Sequence, residues 1–236
     1  MLQIYKICEA LGEFEKQTNV IKIQPIWGGE MSAQDYFALS IRRVEMGRRL
    51  LLPGELGCAL AHTAVYKSVV SQNYAALVLE EDIYLEPESL EKVTDIISTL
   101  NQPDFINFSK YRHAFKKTHL KKNIYIADTS KGFWGASAYY ISPRMARYIL
   151  KKQSDCIDIA DNWQEFFVGC PYIPYYAEVF EHTGAKTRIG SRTNPPGNAS
   201  IFHVLRLRLF RWKMAYLSPF RHIKNLIKSR LRENKR

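Results

Sequence analysis

The segment Ala76-Leu77-Val78-Leu79-Glu80-Glu81-Asp82 consists of four apolar residues followed at once by three acidic ones. The apolar run predicts a short buried strand, and strands of α/β sheets present ligand-binding residues at their C-terminal ends. Three adjacent carboxylates repel one another unless a cation joins them, and Mg²⁺ and Mn²⁺ take oxygen ligands that often bridge to phosphates. The segment therefore predicts a metal–phosphate site, with a solvated acidic turn as the alternative.

Strand and helix signals alternate along the rest of the chain. Strands are predicted, besides the one above, at Val20–Ile26, Asp104–Phe108, Ile124–Ala127, Trp134–Ile141 and Tyr172–Phe180. Helices are predicted in residues 2–17, within 32–50, at 55–71, from 87, from 143 to about 152, and within 158–168. The basic segment 110–122 is predicted to be a loop. This alternation predicts an α/β domain with a mostly parallel sheet.

Length and composition indicate one globular domain, residues 1–200, with an appended tail, residues 201–236. The chain has 236 residues, of which 46% are hydrophobic, enough for a sizeable core. No apolar run reaches the roughly 18 residues that span a bilayer, and the start lacks the features of a signal peptide. We therefore expect a cytoplasmic protein. Its four widely spaced cysteines predict free thiols rather than disulfides or a zinc site.

The tail carries nearly all of the net charge. Residues 201–236 hold 11 of the 34 Lys and Arg residues but one acidic residue, Glu233. After Pro219, apolar residues recur at helical spacing: Phe220, Ile223, Leu226, Ile227 and Leu231. A basic amphipathic helix of this kind is typical of binding to an anionic membrane surface. The alternatives are a helix packed on its own domain and a nucleic-acid-binding protein, although no zinc-finger or RNA-recognition signature supports the latter.

Two motifs resemble glycosyltransferase family 25, the bacterial lipooligosaccharide glycosyltransferases, which are related to collagen galactosyltransferases. The block Gly54-Glu-Leu-Gly-Cys-Ala-Leu-Ala-His62 resembles the family's Gly-Glu-Ile-Gly-Cys-x-x-Ser-His, with Ala61 in place of serine. The block Leu79-Glu-Glu-Asp-Ile83 resembles Leu-Glu-Asp-Asp-Val, with Glu81 in place of the central aspartate. A weaker resemblance follows at residues 132–143, and Asp158 stands where the family has an aspartate.

The resemblance implies a GT-A-like, Rossmann-type fold, a UDP-sugar donor (typically UDP-galactose) and Mn²⁺ or Mg²⁺. A lipid-linked oligosaccharide acceptor at the inner face of the bacterial inner membrane would explain the basic tail. Glu80 and Asp82 are then the expected metal–diphosphate carboxylates. Glu81 belongs to the same donor site, but strand alternation points it away from the other two.

An inverting transfer needs a base that takes the proton of the acceptor hydroxyl, and one carboxylate suffices. Asp158, favoured by the resemblance, and Asp161 are the candidates, and helix N-capping is the alternative use of Asp158. Glu55 and His62 lie two turns apart on one predicted helix, so both could approach the donor. The alternatives are favourable placement of Glu55 at the helix start and a partly buried histidine with one hydrogen bond.

The N-terminus departs from the family pattern. Family members begin with a strand of the form Val-Ile-Asn-Leu followed by an arginine-rich helix, and residues 1–30 resemble neither. The first strand is therefore predicted to be missing or divergent. Because that strand helps to hold the nucleotide base in the resembling fold, a truncated or inactive glycosyltransferase-like protein is an alternative function.

Overall fold

The computed structural model describes residues 2–110, 116–130 and 132–181. The strands are β1 Gln3–Ile7, β2 Ile21–Ile23, β3 Ala76–Glu80, β4 Phe105–Ser109, β5 Lys117–Lys121, β6 Ile124–Ala127, β7 Ala138–Ile141 and β8 Tyr175–Phe180. The helices are α1 Glu13–Gln17, α2 Ala33–Glu45, α3 Pro53–Gln72, α4 Pro87–Leu100, α5 Pro143–Asp155 and α6 Trp163–Phe167. The predictions for residues 183–199 and for the tail, 201–236, lie outside the described residues.

All eight strands join one sheet in the order β2-β1-β3-β7-β4-β8-β6-β5. β1 pairs in parallel with both β2 and β3, and β4 pairs in parallel with β8. β7 is antiparallel to both β3 and β4, and β6 is antiparallel to β5 and β8. The α/β class is confirmed, and the sheet is mixed because β7 and β6 run against their neighbours.

The N-terminal segment corrects the sequence analysis. Residues 2–17 were expected to be helical, but Gln3–Ile7 is a strand and the helix covers only Glu13–Gln17. β1 has neighbours on both sides, and Ile4, Tyr5 and Ile7 are all buried. A strand covered on both faces loses the apolar–polar alternation that identifies strands in a sequence. A first strand is therefore present, so of the two alternatives for it, missing or divergent, the first is wrong and the second stands.

A buried ion pair fixes β1 to its surroundings. The Lys6 ammonium lies 2.5 Å from Oε1 of Glu15 on α1, and both side chains are 4% exposed. Lys6 also donates to the carbonyl of Ile83 at 2.8 Å, in the turn that follows β3. Buried charges require such partners, so this lysine links the first strand to the end of β3.

Other elements depart from their predicted bounds in smaller ways. The basic segment expected to be a loop contains the exposed edge strand β5, and β7 begins at Ala138 rather than Trp134. α3, α4 and α5 form where they were predicted, and the Ser142 hydroxyl caps α5 by accepting from the Met145 amide at 3.1 Å. Within the described residues, no helix has both the length and the apolar composition to cross a membrane.

The two faces of the sheet carry separate hydrophobic clusters. Ala76 and Val78 of β3 face the cluster that includes residues of α3 and α5, whereas Leu77 and Leu79 face the cluster that includes α4. Successive strand residues point to opposite faces. Glu80, the next residue in the alternation, therefore points to the α3 side of the sheet.

Close backbone packing holds the start of α3 against residues 26–28. A Cβ on Gly57 would lie 2.0 Å from the carbonyl oxygen of Ile26, and one on Gly28 would lie 1.8 Å from that of Pro53. Both contacts are with backbone atoms, which cannot swing away as a flexible side chain can. Gly57 is therefore needed for the position of α3.

We predict that Gly57→Ala lowers the free energy of unfolding by about 1–3 kcal/mol, because the added methyl group overpacks the contact with Ile26. In an ordinary helix interior, replacing glycine with alanine stabilises the protein by about 1 kcal/mol. A loss of stability in Gly57→Ala would therefore be caused by the backbone contact. Gly29→Ala is the control, since no heavy atom lies within 4 Å of the added Cβ. Urea unfolding measures both variants, and equal stability of Gly57→Ala and the wild type would contradict this packing.

Candidate functional site

Glu80 ends β3 on the face that α3 covers. Its side chain is 25% exposed, so the carboxylate lies at the boundary between core and solvent. The Ile83 amide donates to the Glu80 carbonyl at 3.2 Å, and Glu81 and Asp82 occupy the turn between them. Glu81 is exposed and Asp82 is half-buried. Of the three carboxylates, Glu80 and Asp82 are thus partly buried, and Glu81 is exposed to solvent.

Two side chains of α3 reach the Glu80 carboxylate. Nε2 of His62 lies 2.9 Å from Oε1 of Glu80, and the Cys58 thiol donates to the same oxygen at 3.6 Å. Cys58 and His62 are four residues apart, which places them on one face of the helix. Both contacts use Oε1, so the second oxygen, Oε2, is not required to hold the side chain.

The contact with His62 continues into the core as a hydrogen-bonded chain. Nδ1 of His62 lies 2.7 Å from the Tyr139 hydroxyl on β7, which lies 3.2 Å from the Tyr66 hydroxyl on α3. The imidazole also stacks on the Tyr139 ring, with centroids 5.6 Å apart. His62, Tyr139 and Tyr66 are fully buried. His62 is therefore a buried side chain with two hydrogen bonds, one of which orients Glu80.

Burial and nearby negative charge keep the two tyrosines and the cysteine around His62 in their neutral forms. Burial raises the pKa of Tyr139 well above its usual value and also raises that of Tyr66. The pKa of the Cys58 thiol is raised well above its ordinary value, first by burial and then by the negative charges of Glu80 and Asp161. A protonated thiol is a poor nucleophile, so Cys58 is unsuited to nucleophilic catalysis.

Asp161 is half-buried, just before α6. Its carbonyl accepts hydrogen bonds from the amides of Gly135, at 3.1 Å, and Trp163, at 3.0 Å. The indole of Trp163 in turn donates to the carbonyl of Gly135 at 2.5 Å. These contacts attach the segment that carries Asp161 to the segment that enters β7, beside Tyr139.

Asp158 occupies a different environment. Its carboxylate is buried and forms ion pairs with Arg43, at 2.8 Å, and with Arg48. It also accepts from the amide of Ile159 at 2.8 Å. The N-cap of α6 is Asn162, so the N-capping alternative for Asp158 is wrong. The carboxylate anchors α2 and the residues after it to the segment before α6.

Glu55 is also buried, and its contacts lie at the start of α3. Arg49 donates to both of its carboxylate oxygens at 2.6 Å, and the Leu52 amide donates at 2.8 Å. A bidentate arginine and a backbone amide at a helix N-terminus are favourable partners for a carboxylate. These contacts support the structural interpretation of Glu55 as a residue that holds the helix start.

Two residues of the site, Cys58 and Tyr139, were not predicted from the sequence. Cys58 stands one helical turn before His62, and this spacing was the signal that could have identified it. Tyr139 lies opposite Val78 in the antiparallel pairing of β3 and β7. Because that register depends on the reversed direction of β7, no local pattern in the sequence indicates that Tyr139 reaches His62.

The fold and the site are those of an α/β domain with a carboxylate presented at the end of a central strand. The sequence model of glycosyltransferase family 25 (LPS biosynthesis protein) matches residues 5–163, well over half of the chain. The chain therefore belongs to glycosyltransferase family 25. The match begins within β1 and ends at the start of α6, so it includes Cys58, His62, Glu80 and both candidate bases. A search of curated proteins found no match.

We predict that Asp158→Asn lowers the free energy of unfolding by about 3 kcal/mol, because it leaves Arg43 and Arg48 beside an uncharged amide. Asp161→Asn should change it by less than about 1 kcal/mol. Chemical denaturation of the two variants measures the difference. A fully stable Asp158→Asn protein that has lost glycosyl transfer would contradict the structural role and identify Asp158 as the base.

Proposed function

We propose that this family 25 glycosyltransferase moves a hexose, with galactose as the first candidate, from a UDP-sugar to a lipooligosaccharide or lipopolysaccharide acceptor. Family membership supports a sugar donor and an oligosaccharide acceptor. The observation that carries the proposal is the Glu80 carboxylate, which stands at the C-terminal end of β3 and is held there by His62 and Cys58. Open α/β sheets bind their ligands outside the carboxyl ends of their strands.

The carboxylates at the end of β3 and in the turn after it suit a hard divalent cation. Glu80 and Asp82 offer carboxylate oxygens, which Mg²⁺ and Mn²⁺ prefer. Both side chains are accessible in part, whereas Glu81 is the most exposed of the three acids. When bound, the cation would neutralise charge on the departing nucleoside diphosphate. We assign Glu80 and Asp82 to this site, and Glu81 to its solvent-exposed edge.

The position of the two aspartates favours Asp161 as the base. Asp158 is buried between two arginines, so its carboxylate already has charged partners. Asp161 is half-buried, and its carbonyl is hydrogen-bonded to Gly135 in the segment that enters β7. A base must lie within hydrogen-bonding reach of the acceptor hydroxyl. We propose that Asp161 takes the acceptor proton in an inverting transfer and that Asp158 positions the surrounding segments.

The alternative of an inactive, truncated protein rested on the apparent absence of a first strand. β1 is present and pairs with both β2 and β3. This finding removes the main support for that alternative, and we retain the enzymatic function.

We also propose that residues 201–236 attach the enzyme to the inner face of the bacterial inner membrane, where a lipid-linked acceptor is presented. Support comes from the composition of the tail, with 11 basic residues and one acidic residue. Each basic residue near an anionic surface contributes about 1 kcal/mol.

For the tail, replacing five basic residues by glutamine should greatly reduce co-sedimentation with vesicles that contain anionic lipids while leaving donor hydrolysis intact. The residues are Arg221, Lys224, Lys228, Arg230 and Arg232. Neutral vesicles are the control for the lipid charge. Unchanged sedimentation of the variant with anionic vesicles would refute the membrane role. Salt-sensitive binding of the wild type to nucleic acid, without binding to vesicles, would favour a nucleic-acid partner.

For the donor site, we predict that UDP-galactose raises the midpoint of thermal unfolding in the presence of Mn²⁺ and much less in its absence. Asp82→Asn should remain folded, lose the Mn²⁺-dependent rise and reduce turnover by about 100-fold or more, because a charge-stabilising group is removed. Glu81→Gln is the matched control and should retain most of the activity. Full turnover by Asp82→Asn would overturn the assignment of this carboxylate.

A further inference from the structure

We propose that Cys58, His62 and Glu80 form a binding site for a transition-metal cation of the Zn²⁺ class. This inference does not depend on the proposed sugar donor, since it concerns binding of the metal alone. Glu80 also belongs to the proposed sugar-donor site. A Zn²⁺ ion bound to Glu80 would therefore compete with its role in binding the donor. Zn²⁺ at this position would thus regulate donor binding.

The three ligand atoms converge from two elements. One ligand atom from each residue lies within 4.8 Å of the other two. Zinc–ligand bonds of about 2.0–2.3 Å place tetrahedral donors roughly 3.3–3.8 Å apart. The Cys58–Glu80 pair already has such a spacing, 3.6 Å, while the His62–Glu80 pair would widen from 2.9 Å. The Cys58 and His62 ligand atoms lie within 4.8 Å of each other, so side-chain adjustments of about an ångström would bring all three donors to the spacing of a zinc site.

The chemistry of the three donors differs from that of a magnesium site. A thiolate, an imidazole and a carboxylate are all common zinc ligands, whereas Mg²⁺ and Mn²⁺ favour oxygen. Three protein ligands leave the fourth tetrahedral position open. Cys58 and Glu80 are only partly buried, which provides the ion with a path from solvent.

The buried partner of His62 supports its use as a ligand. Metal-binding histidines commonly engage their second ring nitrogen in a hydrogen bond that fixes the ring. Here Nδ1–H can donate to the Tyr139 oxygen while the Tyr139 hydroxyl donates to Tyr66, at distances of 2.7 and 3.2 Å. In this tautomer the lone pair of Nε2 is available to a metal ion, whereas without metal Nε2–H donates to Glu80. Metal binding would then release one proton, that of the Cys58 thiol, to solvent.

The competing explanation is a hydrogen-bonded relay without metal, in which Nε2–H donates to Glu80. The full-length protein, freed of metal with a chelator, is titrated with Zn²⁺ against a chromophoric chelator, and Co²⁺ is added separately as a spectroscopic probe. We expect one equivalent of Zn²⁺ and a thiolate-to-Co²⁺ charge-transfer band. Absence of stoichiometric Zn²⁺ binding, or of the band, in the wild type would overturn the proposal and leave the relay.

Variants identify the ligands. Cys58→Ser and His62→Gln should each weaken Zn²⁺ binding by about 100-fold or more, and Tyr139→Phe by roughly 10-fold through loss of the hydrogen bond to the ligand. Cys58→Ser should also abolish the Co²⁺ band, and it is the mildest of the three changes for folding.

The controls are Cys170→Ser and His119→Gln, which alter the same residue types outside the cluster and should bind Zn²⁺ as the wild type does. Unchanged binding by Cys58→Ser would refute the site. Because no sugar nucleotide is present, this result is independent of the proposed transfer reaction.

Discussion

The hydrogen bond from His62 to Glu80 joins the buried interior to the partly exposed carboxylate at the end of β3. A carboxylate partly withdrawn from water needs hydrogen-bonding partners, and His62 supplies one whose own orientation is fixed by Tyr139. Since Tyr139 lies on β7 and His62 on α3, the position of Glu80 depends on the packing of a helix and two strands. Glu80 is therefore held by regular elements, which position functional groups more rigidly than loops do.

The placement of α3 in turn depends on the contacts at its N-terminus. Glu55 binds Arg49 and the Leu52 amide there, while Gly57 allows the helix to meet the backbone of Ile26. These two residues belong to the same motif as Cys58 and His62. The motif thus has two parts, one that fixes the beginning of the helix and one that reaches Glu80. Asp158, through its two arginines, stabilises the chain that leads into this helix from α2.

Local sequence patterns predicted α3, β3 and the acidic segment because each has a clear length, period or end signal. They failed for β1, where burial on both faces hides the alternation of a strand. They also left Asp158 and Asp161 unresolved as bases. The partners of Asp158 are Arg43 and Arg48, more than 100 residues earlier in the chain, and only the tertiary fold brings them together. The contact between Tyr139 and His62 escaped prediction for the same reason.

The central claim is that Glu80 is the oriented carboxylate of a metal-dependent donor site. Titration calorimetry of UDP binding, with and without Mn²⁺, compares the wild type with Glu80→Gln, a variant that keeps the shape of the side chain but removes its charge. The account predicts that Mn²⁺ strengthens UDP binding to the wild type and that Glu80→Gln loses this gain, with affinity falling by about tenfold or more. Equal Mn²⁺-dependent binding by the two proteins would contradict it.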